Sequence, residues 1–416
     1  MPQPRQQAMS ARKLQHWTDL WDPDERPFDS EMPGVIPMPA AGAARGYRML
    51  RDEEVPQLLE LHSRVWGEGI GSSLERRWSW MQRNPHRAPG ERTIPAYFRG
   101  TKLRAYQINV PQGFLVRGEP WRAYLVGSLT ADPDAPGGAA RLHAYVRDHH
   151  PITLWGWASW AVPLYHRTLG KMEFRRFPEV SRVSTPTDMP VSHATRPAYF
   201  YWSEPGPLVR PLRADPYLPV RPLASLANLA ARAVDGVFLH RRGDTRVREV
   251  ERFPASLDPW ISAASKTHTF ILDRNTRYLN WRFAECPFTQ YRRFIVEHGP
   301  DNPIALFVAE NIPDPRGHDA WEISDLLTAR DRSDHISAAL RMALRIARAS
   351  GARSVRARNP EYEEHLRAYT ALGFRSRGDD DRKIIFWRPP QILEPEVIAK
   401  RSSWPISWAD PDARLV

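Results

Sequence analysis

A turn of small residues, Gly137-Gly138-Ala139, is the stretch of this sequence best suited to contact a phosphate. It follows an apolar run with strand character that ends at Ala131, and it precedes apolar residues at helical spacing. The first N–H groups of a helix have no internal partner and lie at the positive end of its dipole. Small residues there let a phosphate approach closely, which favours a pyrophosphate site. The same residues also suit a plain turn, and both interpretations stay open at this point.

Composition limits the classes of protein to consider. The 416 residues can form two domains, and 42% apolar with 26% charged residues is typical of a globular protein. The net charge of +11 and the pI near 9.9 favour anionic ligands or surfaces. The arginines are dispersed rather than grouped in blocks, so we expect no specific nucleic-acid partner.

The single cysteine, Cys286, excludes an intramolecular disulfide framework and a cysteine-based zinc site. We also expect no metal at His143, His149 and His150, because solvated histidines at a helix end are the favoured interpretation. The N-terminal residues are polar, and the longest uncharged run, 151–165, is shorter than the ~20 residues that span a bilayer. We therefore expect a cytoplasmic protein without a transmembrane segment. The oligomeric state is not predicted.

The order of predicted elements recurs along the chain. A flexible arm, 1–45, precedes a first unit at 46–180 with a helix pair, of which Asp52 caps the first helix. A proline-rich connector with a helix covers 181–250, a second unit covers 251–390, and a tail covers 391–416. In both units, strands lead to a break, a helix and a further strand, which predicts an internal duplication. Two unrelated α/β units are the alternative. The expected strands lie at 96–98, 104–110, 113–116, 121–129, 152–157, 173–177, 291–297, 304–308, 321–327, 354–357 and 384–387.

With this pattern, the first unit resembles the GNAT superfamily of acyl-CoA-dependent N-acyltransferases. Gly137 and Ala139 take the small-residue positions of the family's Q/R-x-x-G-x-G/A pyrophosphate loop, and Asp134 stands where Gln or Arg is usual. The resemblance implies an α/β (α+β) chain of two tandem GNAT-like domains, each a mixed twisted sheet flanked by helices.

The second unit is similar to the C-terminal portion of bacterial GNAT-like proteins often tied to cell-surface polysaccharide pathways. The glycine loop is missing there, because the charged run 331–335 stands in its place, which implies that this unit binds no CoA. The residues that carry the similarity are Arg274–Phe283, Pro287, Tyr291, Ile323–Leu327 and Tyr369–Phe374.

The family resemblance also implies a reaction: transfer of an acyl group, acetyl in the first instance, from acetyl-CoA or another acyl-CoA to a small amine or aminosugar. Backbone N–H groups of Leu129, Thr130 and Ala131 would polarise the thioester carbonyl. Tyr165 would protonate the departing thiolate. The residues expected to bind the cofactor are Leu129, Thr130, Ala131, Gly137, Gly138 and Ala139.

Several assignments have structural alternatives. Gly170 follows Tyr165 by one residue more than the family spacing, so a buried interface tyrosine is the alternative to a general acid. Tyr369 has the family spacing without a cofactor loop, and we expect a structural role for it. The sequence shows no evident general base, since surface roles are favoured for Asp132 and His166.

Trp155 and Trp157 lie on one face of their strand. They form either a platform for a sugar or acyl chain or, in the favoured interpretation, part of the core.

Two broader alternatives concern the function of the whole chain. It could be a non-catalytic binding or assembly protein that keeps the scaffold. The other alternative, an RNA-directed basic protein, is supported by the net charge alone.

Overall fold

Two mixed sheets flanked by helices form the protein in the computed structural model, which makes it an α+β chain as predicted. The helices are α1 (Val55–Trp66), α2 (Glu68–Gln82), α3 (Asp258–Lys266), α4 (Thr276–Leu279), α5 (Ser333–Ala349) and α6 (Glu363–Ala371). The structure describes residues 46–135, 138–139, 142, 145–146, 153–158, 194–197, 244–313, 319–350, 352, 354–357, 363–372, 374–376 and 383–387.

The first sheet has the order β1-β2-β3-β4-β5-β14, with β8 also paired to β3. Its strands are β1 (Tyr47–Met49), β2 (Pro95–Arg99), β3 (Lys102–Val116), β4 (Glu119–Ala131), β5 (Thr153–Ala158), β8 (Phe270–Leu272) and β14 (Lys383–Trp387). The second sheet has the order β13-β6-β12-β11-β10-β9-β7. Its strands are β6 (Ala194–Pro197), β7 (Thr245–Val250), β9 (Arg292–His298), β10 (Pro303–Pro313), β11 (Asp319–Leu327), β12 (Ser354–Ala357) and β13 (Arg375–Ser376).

The predicted helix pair is present, and Leu58 and Leu61 of α1 are buried against the first sheet. The predicted cap at Asp52 is wrong, because residues 52–54 form a 3-10 turn that leads into α1. Here the Glu54 carboxylate accepts the Arg51 N–H at 2.9 Å, which satisfies one of the free donors at the helix start.

The two strands predicted at 104–110 and 113–116 are one continuous strand, β3. Pro111 lies within it and pairs with Tyr124 of β4. The side-chain amide of Asn84 donates to the Pro111 carbonyl at 2.7 Å, so the backbone of Pro111 faces away from β4. A missing N–H on that side removes no hydrogen bond from the β3–β4 ladder, and the strand therefore continues.

A bulge interrupts β4 where it passes Ile108 of β3. Gln107 pairs with Leu129 and Asn109 pairs with Val126, so Ile108 faces both Gly127 and Ser128. The extra residue exchanges the two faces of the strand from this point onward. Beyond the bulge, Leu129 and Ala131 pack on the face that also holds Tyr124.

The second sheet repeats these features. On β11, Asp325 pairs with Val308 and Ile323 pairs with Ala309, which makes Ser324 the extra residue of a bulge. β4 pairs in parallel with β5 over residues 123–125, and β11 pairs in parallel with β12 over residues 320–323. In the first sheet, the parallel pairing therefore ends just before the bulge, although β5 continues to Ala158.

The two halves of the chain exchange strands. β14, from the end of the second half, lies beside β5 in the first sheet, while β6 lies beside β12 in the second sheet. β6 comes from the proline-rich stretch where we expected only a connector and its helix, and that expectation is wrong for residues 194–197. Its pairing partner lies far along the chain, which local sequence patterns do not reveal.

Candidate functional site

The candidate site is the gap that opens between β4 and β5 beyond Leu125. The Asp132 N–H donates to the Arg104 carbonyl at 2.7 Å. Because antiparallel pairs alternate, the backbone groups of Thr130 point to β3, while those of Leu129 and Ala131 point into the gap. Of the three residues predicted to polarise a carbonyl, the structure thus directs Leu129 and Ala131 towards the gap, but not Thr130.

The side chain of Thr130 takes a different role. The bulge turns it to the face covered by α1, where it is buried. The indole N–H of Trp66, at the end of α1, donates to Thr130 Oγ1 at 3.0 Å. Trp66 is itself half exposed, with a relative accessibility of 50%, so an aromatic ring covers this end of β4 from the solvent side.

His62 and Tyr106 extend this contact into the interior. His62 Nδ1 is hydrogen-bonded to Tyr106 Oη, and Tyr106 is hydrogen-bonded in turn to Thr130. Burial lowers the pKa of His62, and the charge of Arg77 lowers it further. Burial raises the pKa of Tyr106. The His62 imidazole and the Tyr106 phenol are therefore both neutral and hydrogen-bonded to each other, and they lie next to β4, the strand that borders the gap.

Asp132 holds the end of β4 in place through three hydrogen bonds. Its Oδ2 accepts Arg104 at 2.7 Å and Arg64 at 3.1 Å, and its Oδ1 accepts the Asp134 N–H at 3.1 Å. Burial alone would raise the pKa of Asp132, but these hydrogen bonds and the arginine charges together lower it. The expected surface role is wrong, since Asp132 is 2% exposed and joins α1, β3 and the turn after β4.

The turn after Asp132 places the predicted phosphate-binding residues. The Ala135 N–H donates to the Asp132 carbonyl at 2.9 Å, and the Gly138 N–H donates to the Ala135 carbonyl at 3.0 Å. Gly138 is buried, and a Cβ built on it would lie 3.7–3.9 Å from three alanine methyl groups, which is ordinary van der Waals contact. Its N–H is used within the turn. Ala139, half-buried in the first helical turn, is the better-placed residue for a ligand.

Several predicted residues lie outside the described residues. They are Gly137, His143, His149, His150, Tyr165, His166 and Gly170. Trp155 and Trp157 lie in β5, as the strand prediction requires. Within the described ranges, no group of three or more His, Cys, Asp or Glu side chains is arranged to bind a metal.

No protein-family model and no curated protein sequence matches the chain significantly. Solved structures do match. A GCN5-related N-acetyltransferase from Anabaena variabilis ATCC 29413 aligns with a TM-score of 0.50 and 11% identity, over 82% of this chain and 71% of that one. The chain has the GNAT fold. Two mixed sheets flanked by helices are what the resemblance implied.

Two further structures are similar to this chain. A GCN5-related N-acetyltransferase from Kribbella flavida matches with a TM-score of 0.45 and 12% identity, over 82% of this chain and 69% of that one. Saccharomyces cerevisiae N-myristoyltransferase with bound myristoyl-CoA matches with a TM-score of 0.43 and 10% identity, over 88% of this chain and 82% of that one.

The end of β11 in the second sheet differs from the end of β4, because side chains are engaged with its backbone. Asp325 accepts Arg274 Nε at 2.9 Å, and both side chains are buried. The second carboxylate oxygen of Asp325 accepts the Leu326 N–H at 3.0 Å. His268 Nε2 donates to the Thr328 carbonyl at 2.9 Å, and burial lowers the pKa of His268 to about 4. Neighbouring side chains thus satisfy backbone groups at the end of β11.

Tyr369 is buried in the core of the second GNAT-like half, against Phe374 with ring centroids 5.0 Å apart. Burial raises the pKa of Tyr369, and its hydroxyl has no hydrogen-bond partner in the part of the chain that the structure describes. This environment fits the structural role expected for Tyr369.

None of the described helices is long and apolar enough to cross a membrane.

Proposed function

We propose that this protein is an acyl-CoA-dependent N-acyltransferase with its acyl site in the gap between β4 and β5. The observation that carries the proposal is that pairing of β4 with β5 ends at Leu125, beyond which backbone groups of Leu129 and Ala131 point away from β3 and into the gap. An N–H held by a sheet is preorganised to stabilise the oxyanion that forms when an amine attacks a thioester carbonyl. Collapse of that intermediate forms the amide and releases the thiolate of CoA.

The pyrophosphate of the acyl-CoA would lie at the start of the helix that contains Ala139. Helix N-termini favour anions through free N–H groups and the helix dipole. Gly137 and Gly138 would shape this turn, in which the Gly138 N–H donates to the Ala135 carbonyl. The net charge of +11 also favours a polyphosphate ligand.

The proton that the amine loses would travel through Thr130 and Tyr106 to His62. A hydroxyl both donates and accepts, so Thr130 and Tyr106 can relay a proton to the unprotonated Nδ1 of a neutral imidazole. The lowered pKa of His62 supports this role, because it keeps the imidazole neutral at pH 7. Tyr165 would supply the proton that the departing thiolate needs.

The second half would carry no CoA in this proposal, because hydrogen bonds of Arg274, Asp325 and His268 engage the polar groups at the end of β11. We propose that the two halves correspond to the units 46–180 and 251–390, with the exchanged strands joining them. The acceptor would be a small amine or an aminosugar, for which the indoles of Trp155 and Trp157 are a candidate platform.

Release of free CoA thiol tests this function. Acetyl-CoA and longer acyl-CoAs are each incubated with a panel of amines and aminosugars, and thiol formation is followed over time. The proposal expects saturable thiol release that depends on both the amine and the protein. Absence of turnover and of acyl-CoA binding across the whole panel would instead favour a non-catalytic scaffold.

A further inference from the structure

A cleft of about 310 Å³ lies where the two halves meet, and it contains none of the residues of the gap. Arg83 and Pro85, which follow α2, form one wall. Residues 252–255, α4 and the π-helical turn 280–284 form the rest. The volume is at the lower end of the range for small-molecule sites.

Three arginines surround this cleft, with one carboxylate among them. Glu285 pairs with Arg252 at 2.7 Å and with Arg83 at 3.4 Å. The guanidinium of Arg277, on the exposed side of α4, forms no ion pair or hydrogen bond with the described residues. The four side chains together carry a net charge of +2 around one open space.

The remaining polar groups of the cleft already have partners within the protein. The Asn280 side chain accepts the Phe253 N–H at 2.8 Å and donates to the Phe253 carbonyl at 2.9 Å. Thr276 bonds to Asp258 through both its N–H and its hydroxyl. The indole N–H of Trp281 donates to a backbone carbonyl. A ligand would therefore meet three guanidinium groups, the Glu285 carboxylate that pairs with two of them, and an otherwise apolar wall.

We propose that this cleft binds a phosphate monoester carried on a small apolar group. A phosphate monoester carries a charge of about −1.5 to −2 at pH 7, which matches the net charge of the cleft, whereas a carboxylate carries only −1. Guanidinium groups bind phosphate oxygens in a bidentate manner. The apolar part would lie against Phe253, Trp281 and Pro85. Because both halves supply arginines, the ligand would bridge them.

Calorimetric titration with phenyl phosphate tests this site in the full-length protein without acyl-CoA. We expect phenyl phosphate to bind more tightly than inorganic phosphate, and benzoate more weakly than both. Arg277→Gln should weaken phenyl phosphate at least about tenfold, because it removes a charge-assisted hydrogen bond. Arg246→Gln on β7 removes the same charge from an exposed site away from the cleft, and it should leave binding unchanged.

Glu285→Gln gives a test in the opposite direction. It removes the carboxylate that competes for Arg83 and Arg252, so phenyl phosphate should bind more tightly than to the wild type. The proposal is overturned by no binding of phenyl phosphate up to about 10 mM. It is also overturned by equal losses in Arg277→Gln and Arg246→Gln, or by binding to Glu285→Gln that is not strengthened. The failure of this site would leave the acyltransferase proposal standing, because the assay contains no acyl-CoA.

Discussion

Trp80 and Trp281 stack across the two halves of the chain, with ring centroids 4.6 Å apart and planes 12° from parallel. Each indole N–H donates to the backbone carbonyl of the other residue, at 2.8 Å and 2.9 Å. Both rings are buried, in a cluster that also holds Phe270 and Tyr278 from the second half and Phe114 from the first. The halves therefore share this buried cluster instead of meeting at a polar surface.

We expect Trp281→Phe to lower the free energy of unfolding by about 2–4 kcal/mol, because it removes the indole hydrogen bond to the Trp80 carbonyl and leaves the packing incomplete. Urea unfolding followed by circular dichroism measures this, and the shared core predicts one cooperative transition. Trp260→Phe, at a half-buried position outside this pair, should cost less than about 1 kcal/mol. Two separate transitions, or equal losses in the two variants, would contradict the account.

Asp132 should make stability depend on acidity. Its pKa lies below the ordinary 3.8, so its contribution is present above that pH and is lost as the pH falls through the lowered value. We expect Asp132→Asn to cost about 2 kcal/mol at pH 7, less than for a fully buried pair, since the Arg64 side chain is 39% exposed.

The matched control for Asp132 is Asp134→Asn, two residues on and exposed. Unfolding free energies of both variants are measured from neutral pH down to acid. Asp132→Asn should show a weaker loss of stability below pH 3.8 than the wild type, and Asp134→Asn should follow the wild type. If the free energies of unfolding of Asp132→Asn and the wild type fell in parallel with pH, the Asp132 carboxylate would not be the cause of the acid dependence.

His62 should determine the acidic limb of the pH profile. If neutral His62 accepts the amine proton, kcat/KM should fall as the pH drops through its pKa, which lies below the ordinary 6.5. His62→Gln should lower turnover by about 10²-fold and remove this limb. His298→Gln, at an exposed position, is the control and should change neither. If the acidic limb of the pH profile survives in His62→Gln, this limb reports the titration of a group other than His62.

The two tyrosines separate acid catalysis from packing. Tyr165→Phe should lower turnover by about 10²-fold or more with acyl-CoA affinity nearly unchanged, because only the proton donor is lost. Tyr369→Phe should leave turnover unchanged and should not lower stability, since the lost hydroxyl is buried without a partner in the described residues. Equal turnover of Tyr165→Phe and wild type would remove Tyr165 from the mechanism.

Regular elements of this fold could be predicted because local patterns determine them. The amphipathic spacing of Ile336, Leu340 and Ala343 predicts α5, and these residues are buried as expected. The strand at 354–357 has the predicted bounds. β6 was not predicted, because its pairing with β12 depends on residues more than 150 positions away.

The candidate site was predicted only in part, for a similar reason. The sequence identified the strand end and its turn, but the bulge that separates the roles of Thr130 and Ala131 depends on register with β3. His62 and Tyr106 meet across 44 positions, and a histidine among apolar helix residues gave no local signal. Asp132 was assigned to the surface because its two arginines come from α1 and β3.

Acyl-CoA affinity at Ala139 tests the central claim most directly. Ala139→Gln and Ala139→Glu are matched in size and differ in charge, so the pair isolates the repulsion between a carboxylate and a bound pyrophosphate. Gly138 is unsuitable for this test because it is buried against Ala105 and Ala131. In calorimetric titrations with acetyl-CoA, we expect Ala139→Gln to bind like the wild type and Ala139→Glu to bind at least about tenfold more weakly. Undiminished binding by a folded Ala139→Glu variant would contradict the account.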